Sequence, residues 1–101
     1  MSMSVYHEAP GLGLRVNARE DGTLEAAYIR ISENQVDRTE ELIESVLLLD
    51  YDHDGRVVGI EILAPVKVAQ VVELANRLEE SQRASFENFV RSSAPPGLVH
   101  A

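Results

Sequence analysis

The sequence predicts an α+β fold in which an antiparallel β-meander of three to four strands, residues 12–64, precedes a C-terminal helix, residues 65–91. Apolar and polar residues alternate along much of the first part, as in half-buried strands. Residues 66–92 contain neither Gly nor Pro and have the apolar spacing of a helix. A chain of 101 residues has room for one domain, and residues 92–101, which include Pro-Pro-Gly, are predicted to be a flexible tail.

Five segments have the composition and alternation of strands: residues 12–19, 24–31, 36–39, 45–51 and 56–63. Residues 36–39 are short and are predicted as an edge strand. Residues 40–44 fit either a loop or a helical turn. The strongest hairpin signal is Asp54-Gly55, a pair typical of tight turns between two strands.

The helix is predicted from one apolar stripe that starts after Pro65, a residue suited to a first helical turn. The stripe consists of Val68, Val71, Val72, Ala75 and Leu78. A second apolar group, Phe86, Phe89 and Val90, continues with helical spacing. The pattern therefore fits one helix to about Arg91, or a helix that breaks between Ser81 and Ser85.

The predicted strand at residues 45–51 has apolar side chains on both faces, whereas one helix can cover only one face of a small sheet. We therefore expect a homodimer, in which a second copy of the chain covers the other face. Burial of this strand by its own chain is the alternative.

Charge and composition exclude several classes of function. The chain has 9 Lys+Arg and 17 Asp+Glu, so its formal net charge of −8 disfavours direct binding to nucleic acid or to an anionic membrane. The absence of Cys excludes disulfides, thiolate zinc sites and cysteine nucleophiles. No signal peptide or membrane span is apparent, and we expect a cytoplasmic protein.

Residues 50–61 match the calcium-loop pattern D-x-[DN]-x-[DN]-G-x5-E. In that interpretation the metal ligands are Asp50, Asp52, Asp54 and Glu61. A calcium loop needs a helix after it, but residues 57–63 are β-branched and alternating, and Pro65 would end a helix there. The favoured interpretation is therefore a hairpin with an Asp-rich turn and no metal, and a calcium-binding module is the alternative.

The segments Tyr28-Ile-Arg-Ile31, Leu49 to Gly55 and Val58-Gly-Ile-Glu-Ile-Leu63 together resemble a bacterial family of short proteins, one of the numbered domain-of-unknown-function families. The resemblance covers about residues 14–64. The chain departs from the family pattern at Glu25, where Asp is usual, and at Ala27, where Leu is usual. The resemblance implies an antiparallel meander followed by a helix, and it implies no functional residues.

The remaining polar residues do not form a recognisable catalytic set. Glu61 shares a strand with apolar neighbours, so we expect a half-buried carboxylate that takes up protons readily or pairs with Arg15 or Arg30. The three histidines, His7, His53 and His100, lack the spacing of metal ligands on one helix and are predicted to be solvated.

The function predicted from these observations is that of a non-enzymatic, dimeric protein-interaction module without a cofactor. Its acidity suits a basic protein partner and would speed their encounter. Small acidic antitoxins that mask a basic toxin are an analogy of size and charge, and a regulatory role is equally compatible.

Overall fold

The computed structural model describes residues 11–93 and 95–101, together with the backbone of residues 2–9. Within this part of the chain, one antiparallel sheet contains six strands. They are β1 (Ser2–Ala9), β2 (Leu12–Arg19), β3 (Leu24–Arg30), β4 (Arg38–Ile43), β5 (Leu47–Tyr51) and β6 (Val57–Ile62). The α+β class is confirmed, but the predicted three to four strands are too few, because residues 2–9 pair with β2 although their sequence is weakly patterned.

The strand order is β1-β2-β3-β6-β5-β4, so the sheet consists of two three-stranded meanders joined where β3 pairs with β6. The prediction of one meander in sequence order is therefore wrong. The strand β6 is almost wholly buried and occupies the sheet interior, whereas the connection after β3 leads to β4 at the edge. The segment 40–44, which fitted a loop or a helical turn, is strand as far as Ile43.

The helical layer begins with β7 (Val66–Lys67) and α1 (Val68–Val72), continues as a 3₁₀ helix (Glu73–Arg77) and ends with α2 (Glu80–Ser93). The predicted single helix is interrupted at Leu78, before the alternative break at Ser81 to Ser85. The backbone of Leu78 is extended, with φ −94° and ψ 165°, and its side chain is buried. Burial of Leu78 and a hydrogen bond from Arg83 Nε to the Leu78 carbonyl, at 3.3 Å, accompany the break.

The predicted flexible tail, residues 92–101, is also different in the structure. After α2, the chain turns and forms β8 (Val99–His100), which pairs in parallel with β7. The Val66 amide donates to the Leu98 carbonyl at 2.8 Å, and the Leu98 side chain is only 2% exposed. The two apolar residues that follow Pro-Pro-Gly thus pack on the core, and their burial offsets the entropy of ordering the segment.

The hydrophobic core lies between one face of the sheet and the helical layer. Its most buried side chains come from both layers: Ile29, Leu49, Ile60, Ile62, Val66, Val71, Phe86, Val90 and Leu98. The predicted alternation is confirmed in β2 and β3. In β6, Ile60 and Ile62 share the core face as predicted, and a β-bulge opposite Tyr51 adds Val57 to the core cluster, whereas Val58 is buried outside that cluster. The Val58 carbonyl accepts hydrogen bonds from the amides of Ile31 and Ser32.

Candidate functional site on the open face of the sheet

The strand register aligns two rows of residues on the face opposite the helical layer, which we call the open face. The first row, in strand order, is Arg15, Tyr28, Glu61, Leu48 and Glu41. The second row is Gly13, Arg30, Gly59, Asp50 and Thr39. Most of these side chains are partly or fully exposed, and Asp50 is the exception.

Two long side chains lie flat over glycines of the open face. A Cβ atom on Gly59 would overlap the hydroxyl oxygen of Tyr28, and a Cβ atom on Gly13 would lie 2.9 Å from Nη2 of Arg30. Glycine within a strand often marks such a close approach. Because Tyr28 occupies the space above Gly59, its hydroxyl group reaches across β6 toward Asp50 on β5.

Asp50 is 5% exposed and is the acceptor at the centre of a polar cluster. The Thr39 hydroxyl donates to Asp50 Oδ1 at 2.6 Å. The side chains of Tyr28 and Glu61 also form hydrogen bonds with the Asp50 carboxylate. The guanidinium of Arg15 lies 5.8 Å from the centre of the Tyr28 ring, where it interacts with the ring face.

Two groups of this cluster hold their protons unusually strongly. Burial raises the pKa of Glu61, the charge of Asp50 and a hydrogen bond with it raise that pKa further, and Arg15 lowers it. Burial, followed by the charge of Asp50, raises the pKa of Tyr28 to about 12. The predicted half-buried Glu61 is thus confirmed, and Arg15 acts on it by charge. Arg30 pairs with Glu33.

The other two residues of the calcium-loop pattern lie in the turn between β5 and β6. Asp52 Oδ1 accepts hydrogen bonds from the amides of Asp54 and Arg56, each at 2.9 Å, and Asp52 Oδ2 accepts one from Asn34 Nδ2 at 3.0 Å. The hydrogen bonds from the Arg56 amide and from Asn34 lower the pKa of Asp52. Asp54 is exposed. The Asp52 carboxylate therefore stabilises the turn, a role typical of Asp at such positions.

The structure thus separates the four residues of the calcium pattern. Asp50 and Glu61 belong to the open face, whereas Asp52 caps the turn. The predicted hairpin is confirmed, since a strand and not a helix follows the turn. Across residues 11–93 and 95–101, no group of three or more His, Asp or Glu side chains is placed to hold a metal ion.

A second polar cluster joins the sheet edge to the helical layer. The Tyr51 hydroxyl donates to Glu40 Oε1 at 2.9 Å, and Arg77 Nη1 donates to the same oxygen at 2.8 Å. Hydrogen bonds from Tyr51 and Arg77 lower the pKa of Glu40. The guanidinium of Arg38 stacks on the Tyr51 ring, 4.2 Å from its centre. These groups pair with one another and fasten the 3₁₀ helix to β4 and β5.

Next to this second cluster, a cavity of about 330 Å³ separates the turn after β5 from the start of α2. Its polar lining includes Asn34, Asp52, Arg56, Arg77 and Glu79. Arg56 pairs with Glu79 at 3.5 Å, and Asp52 and Arg77 make the contacts described above. The cavity therefore presents groups that are already bonded within the protein.

Reasoning from sequence missed three residues of the open-face cluster, namely Tyr28, Thr39 and Gly59. The signals for Tyr28 and Gly59 were present, since a polar aromatic residue alternates with apolar ones in β3 and a glycine interrupts β6. Thr39 carried no signal, because its position opposite Asp50 depends on the register between β4 and β5. His53 and His100 are exposed, and the side chain of His7 lies outside the described residues.

Comparisons with known proteins agree with the predicted resemblance. In the part of the chain that the structure describes, no helix is long and apolar enough to cross a membrane. No curated protein and no solved structure matches the chain. One family model matches residues 21–64, a segment that contains Tyr28, Asp50 and Glu61 but not Arg15. Over these residues the chain matches the family described as Protein of unknown function (DUF2283), which confirms the predicted resemblance to a domain-of-unknown-function family.

Proposed function

We propose that the protein is a cytoplasmic, non-enzymatic interaction module that forms a homodimer and binds a basic protein partner. The distribution of charge carries this proposal. Residues 65–101, which form the helical layer and the chain end, contain four acidic and four basic side chains. The whole net charge of −8 therefore belongs to residues 1–64, which contain the sheet.

Within the sheet, negative charge is densest along β4 and its flanks, which we call the acidic edge. Its carboxylates are Asp37, Glu40, Glu41 and Glu44. The basic residue among them, Arg38, stacks on Tyr51. In the described sheet β4 pairs with β5 alone, so the outer side of the strand is an edge. Like charges disfavour the pairing of two acidic edges, whereas a basic partner is attracted to such an edge.

A binding role is favoured over catalysis by the hydrogen bonding of the open-face cluster. Asp50 is engaged by Thr39, Tyr28 and Glu61, and these groups satisfy one another. General acid–base or nucleophilic catalysis needs a group directed at a substrate in a concave site. The analogy with acidic antitoxins, which neutralise basic toxins by covering them, agrees with the size and charge of this chain.

The proposal is tested by identifying a partner and measuring its affinity. The full chain is used as bait in an extract of its source cells, and a retained protein is purified and titrated calorimetrically at several salt concentrations. We expect a basic protein whose affinity falls as salt rises. Reversing two charges of the acidic edge, with Asp37→Lys and Glu44→Lys together, should weaken binding by roughly tenfold or more.

The matched control reverses two exposed charges of the helical layer, Glu73→Lys and Glu80→Lys. This variant has the same net charge as the acidic-edge variant and should bind within about twofold of the wild type. Equal losses in both variants would show that only the total charge matters. An acidic partner, or affinity that neither variant changes, would overturn the proposal.

A further inference from the structure

We propose that two copies of the chain pack their open faces together about a twofold axis that runs along β6. This inference rests on the homodimer included in the proposed function, and it adds the surface and the contacts. The helical layer covers the other face of the sheet, so the open face is where a second sheet can pack. Two sheets packed face to face lie about 10 Å apart with strands nearly aligned.

The strand order decides which strands meet. A rotation of 180° about an axis parallel to β6 does not change the position of a residue along the strand direction. It reverses the order of the strands across the sheet. In the order β2-β3-β6-β5-β4, β6 then faces itself, β3 faces β5 of the second copy, and β2 faces β4 of the second copy. The open faces of the two meanders are thus brought together.

The residues that this axis brings together are complementary. In the first row, Arg15 faces Glu41 of the second copy, and Tyr28 faces Leu48 of the second copy. In the second row, Arg30 lies opposite Asp50 of the second copy; Asp50 is only 5% exposed and Arg30 pairs with Glu33, so this row adds favourable charge and no direct contact. Positive side chains lie on β2 and β3 and negative ones on β4, β5 and β6, so the face carries opposite charges on its two halves.

The centre of the interface also suits close packing. Gly59 faces its own copy on the axis and has no side chain to hold the sheets apart. Glu61 faces its own copy as well, and two charged carboxylates there would repel each other. The groups around Glu61 are Arg15 on β2, Tyr28 on β3 and Asp50 on β5. Burial and the neighbouring Asp50 favour a protonated Glu61, whereas Arg15 opposes it, and two neutral carboxyl groups can face each other.

The charge pattern selects a second copy over the basic partner as the occupant of this face. A basic protein would meet Arg15 and Arg30 on one half of the face, whereas a second copy meets opposite charge on both halves. The acidic edge extends beyond the row that pairs with Arg15, because Asp37 and Glu44 lie outside β4. The homodimer therefore leaves charge for the basic partner.

Charge exchange between facing residues tests the inference, with the dissociation constant measured by sedimentation equilibrium. We expect the wild-type chain to dimerise at micromolar concentration. Arg15→Glu and Glu41→Arg should each weaken the dimer by roughly tenfold or more, because each places like charges opposite one another. The double variant, R15E with E41R, should recover to within about threefold of the wild type, since the pair is restored with its signs exchanged.

Matched controls make the same charge changes on the helical side, with Lys67→Glu and Glu73→Arg, and should dimerise like the wild type. Circular dichroism shows whether each variant is folded. A wild-type monomer would overturn both this inference and the homodimer of the proposed function. A dimer that tolerates the single reversals, or a double variant that stays monomeric, would overturn the interface alone. Binding of the basic partner at the acidic edge is measured separately, with the variant that combines Asp37→Lys and Glu44→Lys.

Discussion

Glu61 and Asp50 lie on neighbouring strands of the open face, where a buried carboxylate and a carboxyl group share a hydrogen bond. Burial and the negative charge of Asp50 raise the pKa of Glu61, so Glu61 binds a proton more readily than a free glutamate does. Asp50 is the more buried of the two and accepts a hydrogen bond from the Thr39 hydroxyl. When Glu61 is protonated, its O–H group can donate to Asp50 as the Thr39 hydroxyl does.

This arrangement predicts a pH dependence of stability that belongs to Glu61. Because the folded protein raises the pKa of Glu61, the stabilisation is complete below the unfolded pKa and is lost as pH rises through the folded value. Glu61→Gln keeps a neutral donor at every pH. At pH 8 we expect this variant to be more stable than the wild type by about 0.5 kcal/mol, a small value because solvent screens the partly exposed group.

Urea unfolding of both proteins from pH 4 to pH 8, at one protein concentration, measures this effect. The advantage of the Glu61→Gln variant should grow with pH. Glu44→Gln, an exposed control, should show no such trend. A difference between the Glu61→Gln variant and the wild type that stays constant with pH would contradict a raised pKa of Glu61.

The contact between Tyr28 and Gly59 predicts a second effect at the residue scale. Gly59→Ala places a methyl group where the Tyr28 hydroxyl lies, so we expect a loss of about 1–3 kcal/mol in unfolding free energy. In a Tyr28→Ala background, the same change should cost less than about 1 kcal/mol because the space is free. A double-mutant cycle by urea denaturation gives the coupling, and equal costs in both backgrounds would contradict the overlap.

At the scale of elements, the hairpin of β5 and β6 depends on Asp52. Asp52→Ala removes the acceptor of three hydrogen bonds, so we expect a lower urea midpoint, whereas Asp54→Ala should change it little. The folded protein lowers the pKa of Asp52, so its contribution is present above the unfolded pKa and is lost as pH falls through the folded one. Asp52→Asn should therefore flatten the acid side of the stability curve, and an unchanged acid side would contradict this role.

The same hairpin predicts the response to calcium. Its four acidic residues are divided between the open face and the turn, and Asp52 already bonds three donors. We expect calcium at about 1 mM, a concentration that saturates calcium sensors, to leave the amide spectrum of residues 50–61 unchanged in NMR. Magnesium at the same concentration is the control. Saturable, calcium-specific shifts at Asp50, Asp52, Asp54 and Glu61 would restore the calcium-binding alternative.

At the scale of the whole molecule, residues 98–100 pack on the core and pair with β7. The Leu98 side chain is buried, and the Leu98 carbonyl accepts a hydrogen bond from the Val66 amide. Because Leu98→Ala leaves a cavity in the core, it should lower the unfolding free energy by about 2–5 kcal/mol. Val36→Ala, at a position that is 43% exposed, is the control and should cost well under 1 kcal/mol. Denaturant titration of the two variants compares them. A small effect at Leu98 would show that the end of the chain is dispensable to the core.

Much of this molecule could be predicted from local sequence pattern, but the long-range pairings could not. The alternation in β2 and β3 and the Asp54-Gly55 turn are local signals, and the structure bears them out. The order of the strands depends on where the segment after Ile31 goes, which no short pattern records. The break at Leu78 and the burial of Leu98 likewise follow from tertiary packing, which overrides propensity.

The candidate site shows the same division between local and long-range information. The raised pKa of Glu61 could be predicted from its own strand, since a carboxylate stands among apolar neighbours. Its partners Tyr28 and Asp50 lie on different strands, and only the register brings the three together. The calcium pattern assumes a helix after the turn, and that part is not found, because the β-branched residues of β6 extend the backbone.

The pairing of β3 with β6 affects the order in which parts of the sheet form during folding. Each three-stranded meander joins strands that are neighbours in sequence, whereas the residues paired between β3 and β6 are roughly thirty positions apart, and such contacts close late in folding. Tyr28 and Glu61 face each other across this late pairing. A nascent or partly unfolded chain therefore lacks the open face, and the dimer that we propose requires both halves of the sheet to have paired first.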